Sequence, residues 1–359
     1  MPGKGKGRRE EMRSFNYLKM KDATWDAETL SLAAAIYRHA GRQEVYLKQR
    51  PRELEKLVQI AKVQSVETSN AIEGIVTTAT RIRRLVAEKT TPRDRSEQEI
   101  AGYRDALNVV HESFDAIPLT VGYILQLHKI MCARTGNSMA GKMKDVQNYI
   151  AGTDAQGRRR ILFTPLPPLE TPDALEAICD EYNIATGNGE VEPLVAIPVF
   201  IHDFLCIHPF NDGNGRMSRL LSTLLLYRSG FLVPKYISLE AKIAQSKDEY
   251  YRTLRASQEG WHEGAEDKAP FIKYMLGTVL CAYRDLEDRY ALVEEKRSAK
   301  DMVALAVRQK VGAFTKRDIR ELCPSLGVSS IEGALRKLVA DGEIERLGQG
   351  RTTRYVRLK

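Results

Sequence analysis

What the chain lacks narrows it first. No apolar run is long enough to cross a bilayer. The longest, around Leu220 to Leu226, is broken by Ser222 and Thr223, whereas a spanning helix needs about 20 apolar residues. The basic N-terminus, Met1-Pro-Gly-Lys-Gly-Lys-Gly-Arg-Arg9, runs into Glu10 and Glu11 rather than an apolar stretch. That argues against a secretory leader and reads as a frayed tail. The five cysteines, at 132, 179, 206, 281 and 323, are odd in number and scattered. No pair has metal-ligand spacing, so they read as reduced, mostly buried thiols of a cytoplasmic protein. No long internal repeat is present. Neither sign of charge dominates: the net charge of +8 fits phosphate or nucleic-acid partners without selecting either.

What is there describes a globular protein. The chain has 359 residues, 43% of them apolar and 28% charged, which is too long for one ordinary core and suggests two or three domains. Helical periodicity dominates. Stretches are expected over Arg52 to Ile72, Ser96 to Phe114, Thr120 to Cys132, Asp173 to Thr186, Leu194 to Cys206, Asp212 to Ser229, and Lys247 to about Lys296. Gly230 suits the residue that ends a helix, and Pro234 prevents its continuation. Tyr149-Ile-Ala-Gly152 and Arg159 to Phe163, flanking Thr153 to Gly157, predict a short β-hairpin, ended by Pro165, Pro167 and Pro168. The last sixty or so residues look separate. A short helix starts at Thr315, a second opens at Ser329-Ser-Ile-Glu332 as a capping box, and two strands surround Gly348-Gln-Gly350. That order is a winged helix-turn-helix.

The chemistry concentrates in His208-Pro-Phe-Asn-Asp-Gly-Asn-Gly-Arg-Met-Ser-Arg219. Gly213 and Gly215 let the backbone fold tightly and approach a ligand. The helix behind them, with Asn214, offers unpaired N–H groups and a positive dipole end, an anion site. Arg216 and Arg219, three apart, can reach a polyphosphate as forks. Asp212 is a hard oxygen ligand suited to Mg²⁺ arriving with phosphates. His208 can take a proton from an attacking hydroxyl. A Gly-rich connector with solvated arginines and a core histidine is the plain alternative. The specified positions would coincide by chance in about one start in 10¹⁰, taking residues as roughly one in twenty.

The segment resembles the Fic (Fic/Doc) family pattern His-x-Phe-x-Asp/Glu-Gly-Asn-Gly-Arg-x-x-Arg at every specified position. The resemblance covers roughly residues 50 to 290. It takes in the helix with His128, Gly141 to Ile150 leading into the hairpin, and a C-terminal winged helix seen in many bacterial members. It implies a mainly α fold: a Fic-type helical domain with a β-hairpin flap, plus the winged helix. The implied division is an N-terminal tail and helical extension (1–50), N-terminal helices (51–118), a catalytic domain (119–297) and a winged helix domain (298–359). It also implies a protein adenylyltransferase: His208 deprotonates a Tyr, Thr or Ser hydroxyl, which attacks the α-phosphate of ATP as pyrophosphate leaves. Asp212 would hold Mg²⁺, and Gly213, Asn214 and Gly215 would cradle the α- and β-phosphates. Arg216 and Arg219 would neutralise the outer phosphates, and Phe210 would pin the loop. Tyr250 and Tyr251 resemble the family's adenosine-side pair. Gln258 departs from the asparagine that some relatives set against adenine, and Ser218 replaces a common glycine.

Ser69-Asn-Ala-Ile-Glu73-Gly74 closes the long N-terminal helix. Ser69 and Glu73, one turn apart, share a face, and Gly74 is a natural stop. Alone, this is a surface carboxylate and a C-cap. Beside the loop it resembles the family's inhibitory motif, Ser/Thr-x-x-x-Glu-Gly/Asn, whose glutamate pairs with the last arginine, here Arg219. The resemblance then implies an autoinhibited enzyme, with self-AMPylation and AMP removal as further outcomes. The hairpin, by resemblance, is the flap, with Arg160, Ile161, Leu162 and Phe163 lining the target side. An exposed strand edge can hold a target segment as an added strand, although an ordinary surface hairpin has the same pattern. Arg336, Lys337, Arg351 and Arg354 could meet DNA phosphates. Asp318, Glu321, Glu332, Asp341 and Glu343 dilute them, and a docking or dimerisation module fits equally. The competing functions are a DNA-binding regulator that senses nucleotide and a Fic enzyme using another nucleotide donor. Relatives imply a homodimer.

Overall fold

The computed structural model describes residues 13–49, 51–153, 157–294, 298–310, 312–350 and 353–358. The expected tail Met1 to Glu11, the hairpin tip Asp154 to Gln156, and Arg351 lie outside them. The fold is mainly helical. In chain order the helices are α1 (Ala27–Gln49), α2 (Pro51–Ile72), α3 (Ala79–Val86), α4 (Arg95–Ser113) and α5 (Val121–Cys132). After the hairpin strands β1 (Ile150–Thr153) and β2 (Arg159–Phe163) come α6 (Thr171–Gly187), α7 (Pro193–Ile207), α8 (Asn214–Arg228), α9 (Leu239–Gln245), α10 (Lys247–Gln258) and α11 (Ala269–Glu294). The chain closes with α12 (Ala299–Arg308), α13 (Lys316–Leu322), α14 (Val328–Ala340), β3 (Ile344–Leu347) and β4 (Arg354–Arg357). None of the described helices is long and apolar enough to cross a membrane.

The chain divides into two compact units. The first comprises Met1–Ala34, Val63–Leu232 and Leu239–Thr278. Its centre is α7, buried at every position from Leu194 to Ile207, packed on α6 and α8. A helix apolar all round belongs in a core, and α8 is nearly as buried, from Met217 to Tyr227. Around them, α4 packs on α5 and α8. Thr120 caps α5 by accepting from the Tyr123 N–H, as serine and threonine do at N-caps. β1 and β2 pair antiparallel, Ala151 opposite Ile161 and Thr153 opposite Arg159.

The second unit comprises Ala35–Lys62, Val233–Ser238 and Val279–Lys359. Within it α12, α13, α14 and β3 share a small core that includes Val303, Phe314, Ile319, Leu335, Leu338 and Ile344. β3 pairs antiparallel with β4, and Phe314 bridges Tyr355.

Several sequence expectations are corrected. Lys247 to Lys296 is not one helix. A turn with Gly260 and Gly264 at φ of +70° and +69° separates α10 from α11, because glycine takes left-handed conformations without a Cβ penalty. α3, α9 and α12 are too short for a clear periodic pattern. The capping box lies at Thr315 and Asp318, where side chain and backbone bond reciprocally. α14 instead starts after Gly327 with no side-chain cap, so Ser329 lies inside its first turn.

Candidate active site

α7 ends at Ile207, and His208 caps it in the left-handed region, φ +54°, with its N–H on the Phe204 carbonyl at 2.9 Å. This conformation is rare outside glycine and asparagine. Here it turns the ring back so that Nδ1 lies 3.2 Å from the Leu205 carbonyl. A carbonyl only accepts, so Nδ1 carries the proton and Nε2 keeps its lone pair. Burial lowers the His208 pKa to about 4. The Leu205 bond opposes this, and the charge on Lys144 adds to it. The ring is therefore neutral at neutral pH, the state of a general base.

The loop behind it is braced on all sides. The Asn214 Oδ1 accepts from the Phe210 N–H at 2.9 Å, and its Nδ2 donates to the Phe210 carbonyl at 2.7 Å. The Asn214 side chain thus folds the loop, and its backbone is what remains for an anion. Phe210 is fully buried and stacks on His128 at 3.7 Å. The Gly141 N–H donates to His128 Nδ1 at 3.0 Å, so Nε2 carries the proton and donates to the Asp212 carbonyl at 3.1 Å. Lys144 binds the Pro209 carbonyl through its N–H at 2.8 Å and the Ile207 carbonyl through Nζ at 2.9 Å. Asn148 Nδ2 reaches the Phe210 carbonyl at 3.0 Å. Gly213 sits at φ +86°, a left-handed conformation that other residues rarely adopt, and a Cβ there would press on Met131 Cε at 2.7 Å. α8 begins at Asn214 with no side-chain cap, so its first N–H groups are available to an anion. Asp212 thus precedes the helix by two residues rather than starting it. Its Oδ1 accepts from the Gly213 N–H at 2.7 Å, and its side chain is 64% exposed.

The two arginines take different partners. Arg216 is buried, paired with Glu99 of α4 at 2.9 Å and 3.5 Å from Asp212. It ties the loop to α4. Arg219 turns to α2. Its Nε donates to Ser69 Oγ at 2.8 Å, and its Nη2 donates to the Ser69 carbonyl at 2.8 Å and to Glu73 Oε1 at 2.7 Å. Burial works against the guanidinium charge, and Glu73 together with Tyr103 and Tyr250 more than restores it. The carboxylate lies against Gly215, where a Cβ would collide with Glu73 Oε1. α2 stops because Gly74 takes φ of +80°, leaving Glu73 at the rim with 35% of its side chain exposed.

Tyr250 and Tyr251 meet edge to face at 5.3 Å, but they differ in access. Tyr250 is buried against Phe271 and Tyr274, and burial raises its pKa against the pull of Arg219. Tyr251 is 40% exposed, whereas Tyr250 is buried. Gln258 is buried, and its Nε2 faces Cys206 Sγ at 3.7 Å. On the hairpin, Arg160, Ile161 and Leu162 are exposed. Phe163 is buried against Trp261 and His262, so it anchors the hairpin rather than lining its outer side. Glu99, Lys144 and Asn148 were not legible in the sequence. Each acts on the loop from another element, and no spacing rule relates them to it.

The Fic/DOC family model matches residues 118–226. A Fido domain-containing protein of Dictyostelium discoideum is 33% identical over 118 residues, covering 32% of this chain and 78% of that protein. Protein adenylyltransferase fic-1 of Caenorhabditis elegans is 28% identical over 184 residues, 50% of this chain and 32% of that protein. The chain spans between 32% and 48% of the first curated relatives it matches. Among solved structures, a Fic family protein from Desulfovibrio desulfuricans shares the fold, with a TM-score of 0.60 at 23% identity over 93% of this chain and 97% of that chain.

Proposed function

This chain belongs to the Fic/DOC family, and on that premise we propose that it transfers AMP from ATP to a tyrosine, threonine or serine hydroxyl of a protein, with Glu73 holding the reaction back. The observation that carries the reading is His208, fixed with Nδ1 on the Leu205 carbonyl and Nε2 as acceptor, beside the uncapped start of α8. Nε2 takes the hydroxyl proton as the oxygen attacks the α-phosphorus and the bond to pyrophosphate breaks. The backbone N–H groups from Gly213 to Gly215 hold the phosphates. Arg219 meets the γ-phosphate once Glu73 releases it. Arg216, through Glu99 and Asp212, positions the loop. Asp212 would hold Mg²⁺: its carboxylate is exposed, and no cluster of three or more metal-ligating side chains occurs among the described residues. That donor set suits an ion that brings water and phosphate oxygens with it. Bound there, Mg²⁺ would neutralise phosphate charge. Tyr251 is the adenine-side contact, and Arg160, Ile161 and Leu162 present the target.

The test is α-labelled ATP with the Glu73→Gly protein, read as covalent label after denaturation. His208→Ala in that background is expected to bind ATP and lose transfer by at least about 10²-fold. Equal labelling would sink the assignment. Labelled UTP and GTP run alongside decide the donor.

The α13–α14–β3–β4 order reads as a winged helix, with Arg336, Lys337 and Arg354 exposed on it. Salt-dependent binding of duplex DNA would favour a nucleic-acid role for that unit, and light scattering tests the expected homodimer.

A further inference from the structure

α7 ends at Ile207, and the last carbonyls of a helix have no partner within it. Those of Phe204 and Leu205 accept from His208 itself, from its N–H at 2.9 Å and from Nδ1 at 3.2 Å. The consecutive carbonyls from Ile207 to Phe210 all accept from Lys144 or Asn148, in the segment between α5 and β1. Lys144 Nζ donates to Ile207 at 2.9 Å, and Asn148 Nδ2 donates to His208 at 3.3 Å. The Lys144 backbone N–H donates to Pro209 at 2.8 Å, and Asn148 Nδ2 to Phe210 at 3.0 Å. The two side chains are themselves joined, Lys144 Nζ donating to Asn148 Oδ1 at 3.1 Å. One residue further along the loop, Asn211 Nδ2 donates to Asp145 Oδ1 at 2.8 Å. The contact therefore runs from Ile207 to Asn211, with His208 inside it.

His208 needs such support. A non-glycine residue in the left-handed region is strained and persists only where its surroundings determine it, and His208 sits there at φ +54°. That conformation turns Nδ1 to the Leu205 carbonyl and leaves Nε2 as the acceptor. Lys144 is buried at the C-terminal end of α7, where the helix dipole favours a cation. The same segment roots the hairpin. β1 begins at Ile150, and Gln147 Nε2 donates to the Asn148 and Pro165 carbonyls at 3.0 Å each, closing the hairpin's base.

We propose that Lys144 and Asn148 are positioning residues for His208: they fix the backbone on both sides of it in the conformation that aims Nε2, and they do so from the root of the hairpin that presents the target. This rests on the transfer reading above for its kinetic half only.

The structural half is read without nucleotide, at neutral pH, from the ring nitrogens of His208 in ¹⁵N-histidine protein, assigned by their loss in His208→Ala. The parent should show one neutral tautomer, with the proton on Nδ1. Lys144→Met keeps the stem and removes the ammonium, and Asn148→Ala removes both amide contacts. In each variant the two nitrogens should move toward a common shift, because a ring released from Leu205 exchanges its proton between them. A His208 ring that keeps the Nδ1–H tautomer in both variants overturns the proposal. Asn148 is only half-buried, so Asn148→Ala decides alone should Lys144→Met not fold. The kinetic half is read in the Glu73→Gly protein. Each substitution should lower kcat for self-labelling by at least about tenfold and leave the Kd for ATP within about twofold. An unchanged kcat, with or without a weaker Kd, overturns the positioning role. Should the Glu73→Gly protein transfer no AMP, the transfer reading fails, and the ring nitrogens still decide whether Lys144 and Asn148 hold His208.

Discussion

The His208 ring lies in a buried setting, and burial sets its protonation state. A ring near the reference pKa would be charged for part of the neutral range. Burial moves His208 to about 4 from 6.5, so Nε2 stays unprotonated well below neutrality. A base with a lowered pKa is available above that pKa and is lost as pH falls through it. For the Glu73→Gly protein, kcat/KM should therefore change by less than about twofold between pH 7.5 and 5.5. A histidine at its reference value would give roughly a tenfold fall over the same step, and such a fall in the measured profile would contradict the placement of the ring. At this scale the local pattern marked His208, the glycines and Asp212 as one segment, but not the side-chain contacts of Asn214 with Phe210 or of Tyr250 with Phe271 and Tyr274.

Two helix ends meet at the site, the C-terminus of α2 and the N-terminus of α8. The first ends at Ile72, with Glu73 just beyond it; the second begins at Asn214 and carries Arg219 in its second turn. Because the carboxylate lies on Gly215, it occupies space beside the anion cradle as well as the guanidinium. Glu73→Gly removes both obstructions, and AMP transfer, read as self-labelling, should rise by at least about tenfold, since a misplacement of about 1 Å can cost roughly a hundredfold. Equal rates in the two proteins would show that the contact does not inhibit. The ends of α2 and α5 lay within a residue or so of the periodic pattern because Gly74 and Thr120 are local signals. α3 and α9 carry no such length of pattern.

Over the whole molecule, His208, Arg219, Glu73, Asp212 and Tyr251 all fall in the first unit. Residues from Met302 to Tyr355 close a core of their own. Removing residues 298–359 from the Glu73→Gly protein should then leave self-labelling within about twofold, measured on protein whose remaining helices are intact by circular dichroism. A loss of more than about tenfold in a folded truncation would mean that the C-terminal residues support the reaction. The burial of both His128 and His208 also reaches the global scale. Each has its pKa lowered to about 4 from 6.5, so the unfolded chain binds more protons between those values. The stability is fully present above about pH 6.5 and declines as pH falls toward 4. Urea midpoints should show that decline, and it should shrink in His128→Gln.

The sequence by itself determined the twelve-residue loop and the helix that leads to Glu73. Both are short-range: glycines that turn the backbone, a histidine before them, an arginine one turn along the helix and a stop after the glutamate. The tertiary structure alone decided partnerships. Arg219 and Glu73 are 146 positions apart. Whether Arg216 faced a phosphate or Glu99, and whether Tyr250 met solvent or Phe271, depended on which helices pack together. Packing is set by the sum of many buried contacts, and no local pattern carries that sum.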